Sequence, residues 1–222
     1  MKDVVRKLRA FYGAPVAPPP KDPYRLLLFE EVGYLCDDAT RVAAYRTLEA
    51  TVGTKPTEIL AAPLAKLRAA CRKGGAIAVN VRAERLQTIA RRVLDTWGGS
   101  PKYISKLTAA EARKELATFP GVGLAGADRT MVLAGTHPVM ALDSNGLRVL
   151  QRLGVAPDTG KWNGDYDAGR RAAAAALPTR TVSLRTAFLL LRQHGKETCK
   201  RAAPRCNRCP VVAECPTGRR SL

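Results

Sequence analysis

The sequence predicts an all-α protein. Apolar residues recur at three- and four-residue spacing along most of the chain, and no stretch alternates convincingly with period two. Glycine and proline punctuate the pattern at intervals that suit short helices, about ten or eleven in all. A first amphipathic helix covers about 3–12, and APVAPPPKDP then breaks it as an extended linker, because proline fixes φ and removes a donor. Pro23-Tyr24 opens a second helix that runs to about Leu35. Asp38 or Thr40 caps a third, with Val42, Tyr45 and Leu48 on one face. Short helices follow near 57–62 and 64–71, and Gly74-Gly75 interrupts. From Arg82 to Trp97 the amphipathic pattern is clearest: Leu86, Ile89, Ala90, Val93 and Leu94 face inward, Arg and Glu outward, and Gly98-Gly99 stops the helix. Thr108 and Glu111 form a capping-box pair for a helix to Ala117. FPGVG (119–123) leads into an apolar helix ending near Ala134, and helices near 145–153, 165–176 and 183–194 complete the set.

Composition narrows the function classes. The 222 residues carry 37 Lys+Arg against 19 Asp+Glu, a net charge of +18. With 46% apolar and 25% charged residues the chain has an ordinary globular make-up, which excludes wholesale disorder. No apolar run approaches the roughly 18 residues of a membrane span, and MKDVVRKLRAFYG has no apolar signal-peptide core. The expectation is a soluble cytoplasmic protein without membrane association, at the nucleoid if bacterial. So large a positive surplus calls for an acidic partner, and nucleic acid is the commonest; solubility by charge is the plainer alternative.

Six cysteines are too few for a disulfide framework. Cys36 and Cys71 stand alone in apolar stretches and read as buried thiols. Cys199, Cys206, Cys209 and Cys215 crowd one short segment. Four thiolates there suit either a tetrahedral Zn²⁺ or a [4Fe–4S] cluster. Lys196, Lys200, Arg201, Arg205 and Arg208 share this loop, and Lys200 and Arg205 are candidate phosphate contacts. His137 and His194 lack partners at metal spacing and read as structural.

FPGVG between two helical segments reads as a helix–hairpin–helix. Gly121 and Gly123 allow a tight turn without side chains above it, so that Pro120, Gly121, Val122, Gly123 and, in the next turn, Ala125 face a DNA phosphate. Downstream, Asp143 in VMALDSNGLRVL supplies a carboxylate, or else the N-cap of the helix that follows.

The stretch FPGVGLAGADRTMVLAG, followed by VMALDSNGLRVLQRLG, resembles the hairpin and catalytic segment of the endonuclease III superfamily of DNA glycosylases. With the cysteine segment, the resemblance runs from about Pro23 to Cys215. It implies two helical lobes, one from 21 to 134 and one from 1–20 with 135–222, the site lying in a cleft between them. It implies a monomer that flips a base out of double-stranded DNA, an oxidised pyrimidine first, or a base of an adenine or thymine mismatch. Asp143 falls on the family's catalytic aspartate, and the cysteine spacing resembles the family's [4Fe–4S] loop. PYRLLLFEEV resembles the helix where the adenine-specific branch places a catalytic glutamate, which lands on Glu30 with Glu31 adjacent. Bifunctional members carry a Schiff-base lysine two residues after G-V-G; here that residue is Ala125, which implies base release by water and little or no strand cleavage. The loop around 35–39, expected to fill the gap in the duplex, reads LCDDA, where endonuclease III offers a glutamine. Those two acids leave a non-catalytic lesion-binding protein as the rival reading.

Overall fold

The computed structural model describes residues 1–221. Among them are thirteen α-helices, two 3₁₀ turns and no strand. In chain order the helices are α1 (Lys2–Tyr12), α2 (Pro23–Val32), α3 (Asp38–Thr51), α4 (Pro56–Ala61), α5 (Leu64–Lys73), α6 (Val79–Trp97), α7 (Tyr103–Lys106), α8 (Ala109–Ala117), α9 (Gly123–Ala134), α10 (Ser144–Arg152), α11 (Trp162–Ala175), α12 (Thr181–Glu197) and α13 (Pro216–Arg219). The 3₁₀ turns are Cys206–Arg208 and Val212–Glu214. The all-α expectation holds. The extra helices α7 and α13 have four residues each, one turn, too short to carry a readable period.

Several boundaries differ from the sequence reading. Helix α2 stops at Val32 because Gly33 is extended (φ −124°, ψ 126°), and Leu35 then turns left-handed at φ 48°. The cap of α3 is Asp37, one residue before Asp38: its carboxylate accepts from the Thr40 amide at 2.7 Å. Helix α6 starts at Val79, after Ala78 at φ 52°. The Thr108–Glu111 capping box on α8 forms as expected.

The chain divides into two compact units, residues 18–134 and residues 1–17 with 135–222. In the first, α2 buries Tyr24, Leu26, Leu27, Leu28, Phe29 and Val32, apolar on nearly every side, as a helix surrounded by others must be. Helices α3, α5, α6 and α9 pack on it, and α8 pairs with α9. In the second, α12 is the central helix, burying Leu184, Phe188, Leu190 and Leu191 between α10 and α1. Gly195 permits the closest approach: a Cβ there would lie 2.5 Å from the Asn145 carbonyl oxygen. No helix among the described residues is long and apolar enough to cross a membrane.

Candidate functional site

The hairpin joins α8 to α9 in the unit of residues 18–134. Phe119 is buried edge-on against Trp97, ring centroids 5.2 Å apart, with the Arg92 guanidinium 4.9 Å from its own ring. That anchor fixes the entry to the turn. Gly121 (φ 78°) and Gly123 (φ 57°) adopt conformations that side chains resist, and both are exposed. The Val122 amide closes the turn onto the Phe119 carbonyl at 3.2 Å. The first amides of α9 have no intrahelical acceptor by the geometry of a helix start, so this end attracts anions. Pro120, Val122 and Ala125 are half-buried around it. Arg113 on α8 clamps the wholly buried Asp128 on α9 through two hydrogen bonds, Nε–Oδ1 2.8 Å and Nη2–Oδ2 3.0 Å. Such a fork fixes direction as well as distance.

Beneath the hairpin lies an acid the sequence placed beside its candidate. Glu30 is ion-paired twice, to Arg41 Nη1 at 2.6 Å and to Arg129 Nη2 at 3.0 Å. Its neighbour Glu31 is more buried and 3.7 Å from Arg85, and burial pushes its carboxyl above the ordinary glutamate value. A Cβ on Gly121 would sit 3.1 Å from Arg85 Nη1 and 3.3 Å from Glu31 Oε2. Glu31, rather than Glu30, is thus the acid under the turn.

On the same unit, two loops expose apolar side chains. Leu35 is 76% exposed and Tyr34 and Ile77 about half, on loops joined by the Tyr34 amide donating to the Gly74 carbonyl at 2.9 Å. Arg82, 2% exposed, staples them from within. Its guanidinium donates to the carbonyls of Ile77 (3.0 Å), Val32 (2.9 Å), Cys71 (2.7 Å) and Gly75. The sequence reading put Arg82 on the outer face of α6. Its spacing to Leu86 sets it on the apolar stripe, and that signal was available. Of the lone thiols, Cys71 is buried, which pushes it up to about 11, and Cys36 is only half-buried.

Asp143 belongs to the other unit, and both its oxygens have donors. Oδ1 accepts from the Gly146 amide at 2.8 Å as the N-cap of α10. Oδ2 meets Arg192 Nε at 3.2 Å and Asn145 Nδ2 at 3.3 Å. Ser144 is the first residue of the helix. The carboxylate is 16% exposed. Beside it, Ser144, Asn145, Arg148, Lys196, Lys200 and Arg201 line an open groove of about 450 Å³. Arg148 holds one wall by donating to Asn145 Oδ1 (2.9 Å), the Gly195 carbonyl (2.7 Å) and the Cys199 carbonyl (3.0 Å). Arg192 was missed because a single cation on an amphipathic helix has no distinguishing pattern.

Cys199, Cys206, Cys209 and Cys215 line one cavity of about 30 Å³ with apolar Val149, Leu153 and Val211. Donors reach two of the sulfurs, Arg152 Nη1 to Cys199 at 3.3 Å and the Gly218 amide to Cys215 at 3.2 Å, and His194 Nε2 lies 3.6 Å from the sulfur of Cys209. Among the described residues, no group of three or more His, Cys, Asp or Glu side chains is gathered as a single metal ion requires. Lys200 is half-buried and Arg205 exposed on this loop.

The chain is 25% identical to endonuclease III of Bacillus subtilis over 199 residues, covering 90% of this chain and 83% of that protein. It superposes on a trapped endonuclease III–DNA covalent intermediate with a TM-score of 0.80 at 21% identity, covering 99% of this chain and 96% of the other. The chain is similar in sequence to endonuclease III and has the fold of the helix–hairpin–helix DNA glycosylases. A thermostable thymine-DNA glycosylase gives a TM-score of 0.77 at 23% identity, with 99% and 96% coverage. No family model matches. The chain carries its hairpin, Glu30 and Ala125 on one unit and its Asp143 and cysteine loop on the other.

Proposed function

We propose that the chain is a DNA N-glycosylase that removes a damaged base, with oxidised pyrimidines the first lesion class on the strength of the endonuclease III likeness. Asp143 carries this reading. It is a part-exposed carboxylate, fixed at both oxygens, at the edge of a cationic groove. Cleaving an N-glycosidic bond builds positive charge on the sugar, and an oriented carboxylate stabilises that charge and orients the attacking water. The flipped nucleotide leaves a gap in the stack. The exposed side chains of Leu35, Tyr34 and Ile77, on loops stiffened by Arg82, are the candidates to fill it.

The amides at Gly121 and Gly123 and the groove cations Lys196, Lys200 and Arg201, with Arg205, grip phosphates. Ala125 offers only a methyl group, so the product is an abasic site with an intact strand. Glu30 has to leave Arg41 and Arg129 before it can protonate a departing base.

The four cysteines fit a [4Fe–4S] cluster better than zinc. Zinc holds sulfur at about 2.3 Å, drawing four thiolates tightly together. These line a cavity instead, with N–H donors aimed at two sulfurs and an imidazole nitrogen beside a third, which suits thiolates on a larger inorganic core. Bound there, the cluster supplies a rigid core for the loop that carries Lys200 and Arg205. Iron by elemental analysis, with a visible absorbance band, is the expected result.

Labelled duplexes bearing a panel of lesions and mismatches, developed with and without alkali, test the activity. Breaks only after alkali support a monofunctional glycosylase; borohydride trapping of a covalent complex would overturn that part. One observation favours a binding-only protein, the Asp143–Arg192 ion pair that engages the catalytic carboxylate. Binding without breaks on any substrate decides for it.

A further inference from the structure

His194 is buried in the second unit, 1% exposed, and the glycosylase mechanism makes no use of it. Its two ring nitrogens face different partners. Nε2 lies 3.6 Å from Cys209 Sγ. Nδ1 lies 2.9 Å from the Tyr12 hydroxyl, which is in turn 2.6 Å from Thr198 Oγ1. Tyr12 comes from α1, 182 residues away in sequence from His194, and its ring packs edge-on against the imidazole at 5.9 Å and 67°. A second tie from the same helix, Lys7 to Glu214, reaches the cysteine loop directly.

We propose that Tyr12 and His194 belong to the cofactor site, His194 donating a hydrogen bond to the sulfur of Cys209 in the cluster-bound protein. The inference rests on the reading of the four cysteines as cluster ligands. A ligating cysteine is a thiolate and has no proton to give. A neutral imidazole carries one N–H, and only the Nε2–H tautomer avoids setting a lone pair against anionic sulfur. Nδ1 is then the acceptor and takes the Tyr12 proton, while the Tyr12 oxygen accepts from the Thr198 hydroxyl. Each donor in the chain Thr198–Tyr12–His194–Cys209 meets one acceptor, and the phenol fixes the tautomer. With Arg152 on Cys199 and the Gly218 amide on Cys215, three of the four ligands receive an N–H. Hydrogen bonds to cluster sulfur stabilise the more reduced state and raise the reduction potential.

The test compares the iron-loaded wild type with His194→Leu, His194→Gln and Tyr12→Phe by protein-film voltammetry, with iron content and thermal midpoint measured alongside. His194→Leu is expected to move the potential negative. His194→Gln, which keeps an N–H, returns it towards the wild-type value. Tyr12→Phe keeps the ring and shifts the potential in the same direction by less. A purely packing role moves the thermal midpoint and leaves the potentials alone. Full iron with unmoved potentials in His194→Leu and Tyr12→Phe overturns the inference while the cluster reading stands. Wild-type protein purified without iron overturns both. If His194→Leu does not fold, Tyr12→Phe decides.

Discussion

Asp143 caps α10 through Oδ1 and meets Arg192 through Oδ2, so substitution can remove its charge without removing its cap. Asparagine caps helices as well as aspartate does. Asp143→Asn is therefore expected to keep the urea midpoint and duplex affinity while abolishing base release, and retained turnover would sink the catalytic assignment. Asp143→Ala loses the cap as well, a further cost of about 1 kcal/mol. Glu31 gives a prediction of opposite character. Burial raises its folded pKa above the unfolded value, so the native state binds the extra proton between the two. Stability then falls as pH rises through that window, and the full penalty stands above it. Glu31→Gln is expected to match wild type at acid pH and to exceed its thermal midpoint at neutral pH. A variant less stable at neutral pH would mean that pairing with Arg85 outweighs desolvation. The place of Asp143 as a cap was legible because a cap is set by the residues that follow it in sequence. Glu31 was not, because adjacent acids in a helix apolar nearly all round leave no stripe from which to read facing.

At the scale of elements, local signals were read well and non-local ones poorly. The Thr108–Glu111 box and the Gly98 stop depend on neighbours in sequence, and both formed where expected. The spacing to Leu86 puts Arg82 on the apolar stripe, but the carbonyls of Val32 and Cys71 that receive its guanidinium come from other segments, which no window on the sequence contains. Two contacts between helices yield tests. Gly195 brings α12 against α10, and in Gly195→Ala the methyl would meet backbone at 2.5 Å, which cannot rotate away. The expected cost is about 3 kcal/mol, at the upper end for overpacking, read as a lower urea midpoint; an unchanged midpoint would mean that α12 shifts freely. In the hairpin, Arg113→Ala strips the guanidinium from the wholly buried Asp128. Breaking such a pair costs about 3–5 kcal/mol. The paired change Arg113→Leu with Asp128→Leu is expected to recover much of that loss in stability. If it leaves duplex binding weak, the clamp's value lies in aiming the turn.

For the whole molecule, the net charge of +18 announced an anionic partner without saying which surface meets it. The structure gathers cations where sequence distance hid them: Arg148 from α10 joins Lys196, Lys200 and Arg201 around one groove. Phosphate contacts release counterions, so the logarithm of affinity falls linearly with the logarithm of salt concentration, by about 0.9 per contact on duplex DNA. Lys200→Ala and Arg205→Ala are each expected to shallow that slope by about 1 and to weaken binding equally on damaged and undamaged duplexes. Arg6→Ala on α1 removes the same unit of charge from a side chain already paired with Asp3. It is expected to leave the slope unchanged, because a diffuse field screened over about 10 Å at 0.1 M salt releases no counterion at a particular phosphate. Fluorescence anisotropy across a salt series separates the cases. Equal slopes for all three variants would show that the surplus charge acts as a general field and would overturn the proposed phosphate contacts of the groove and cysteine loop.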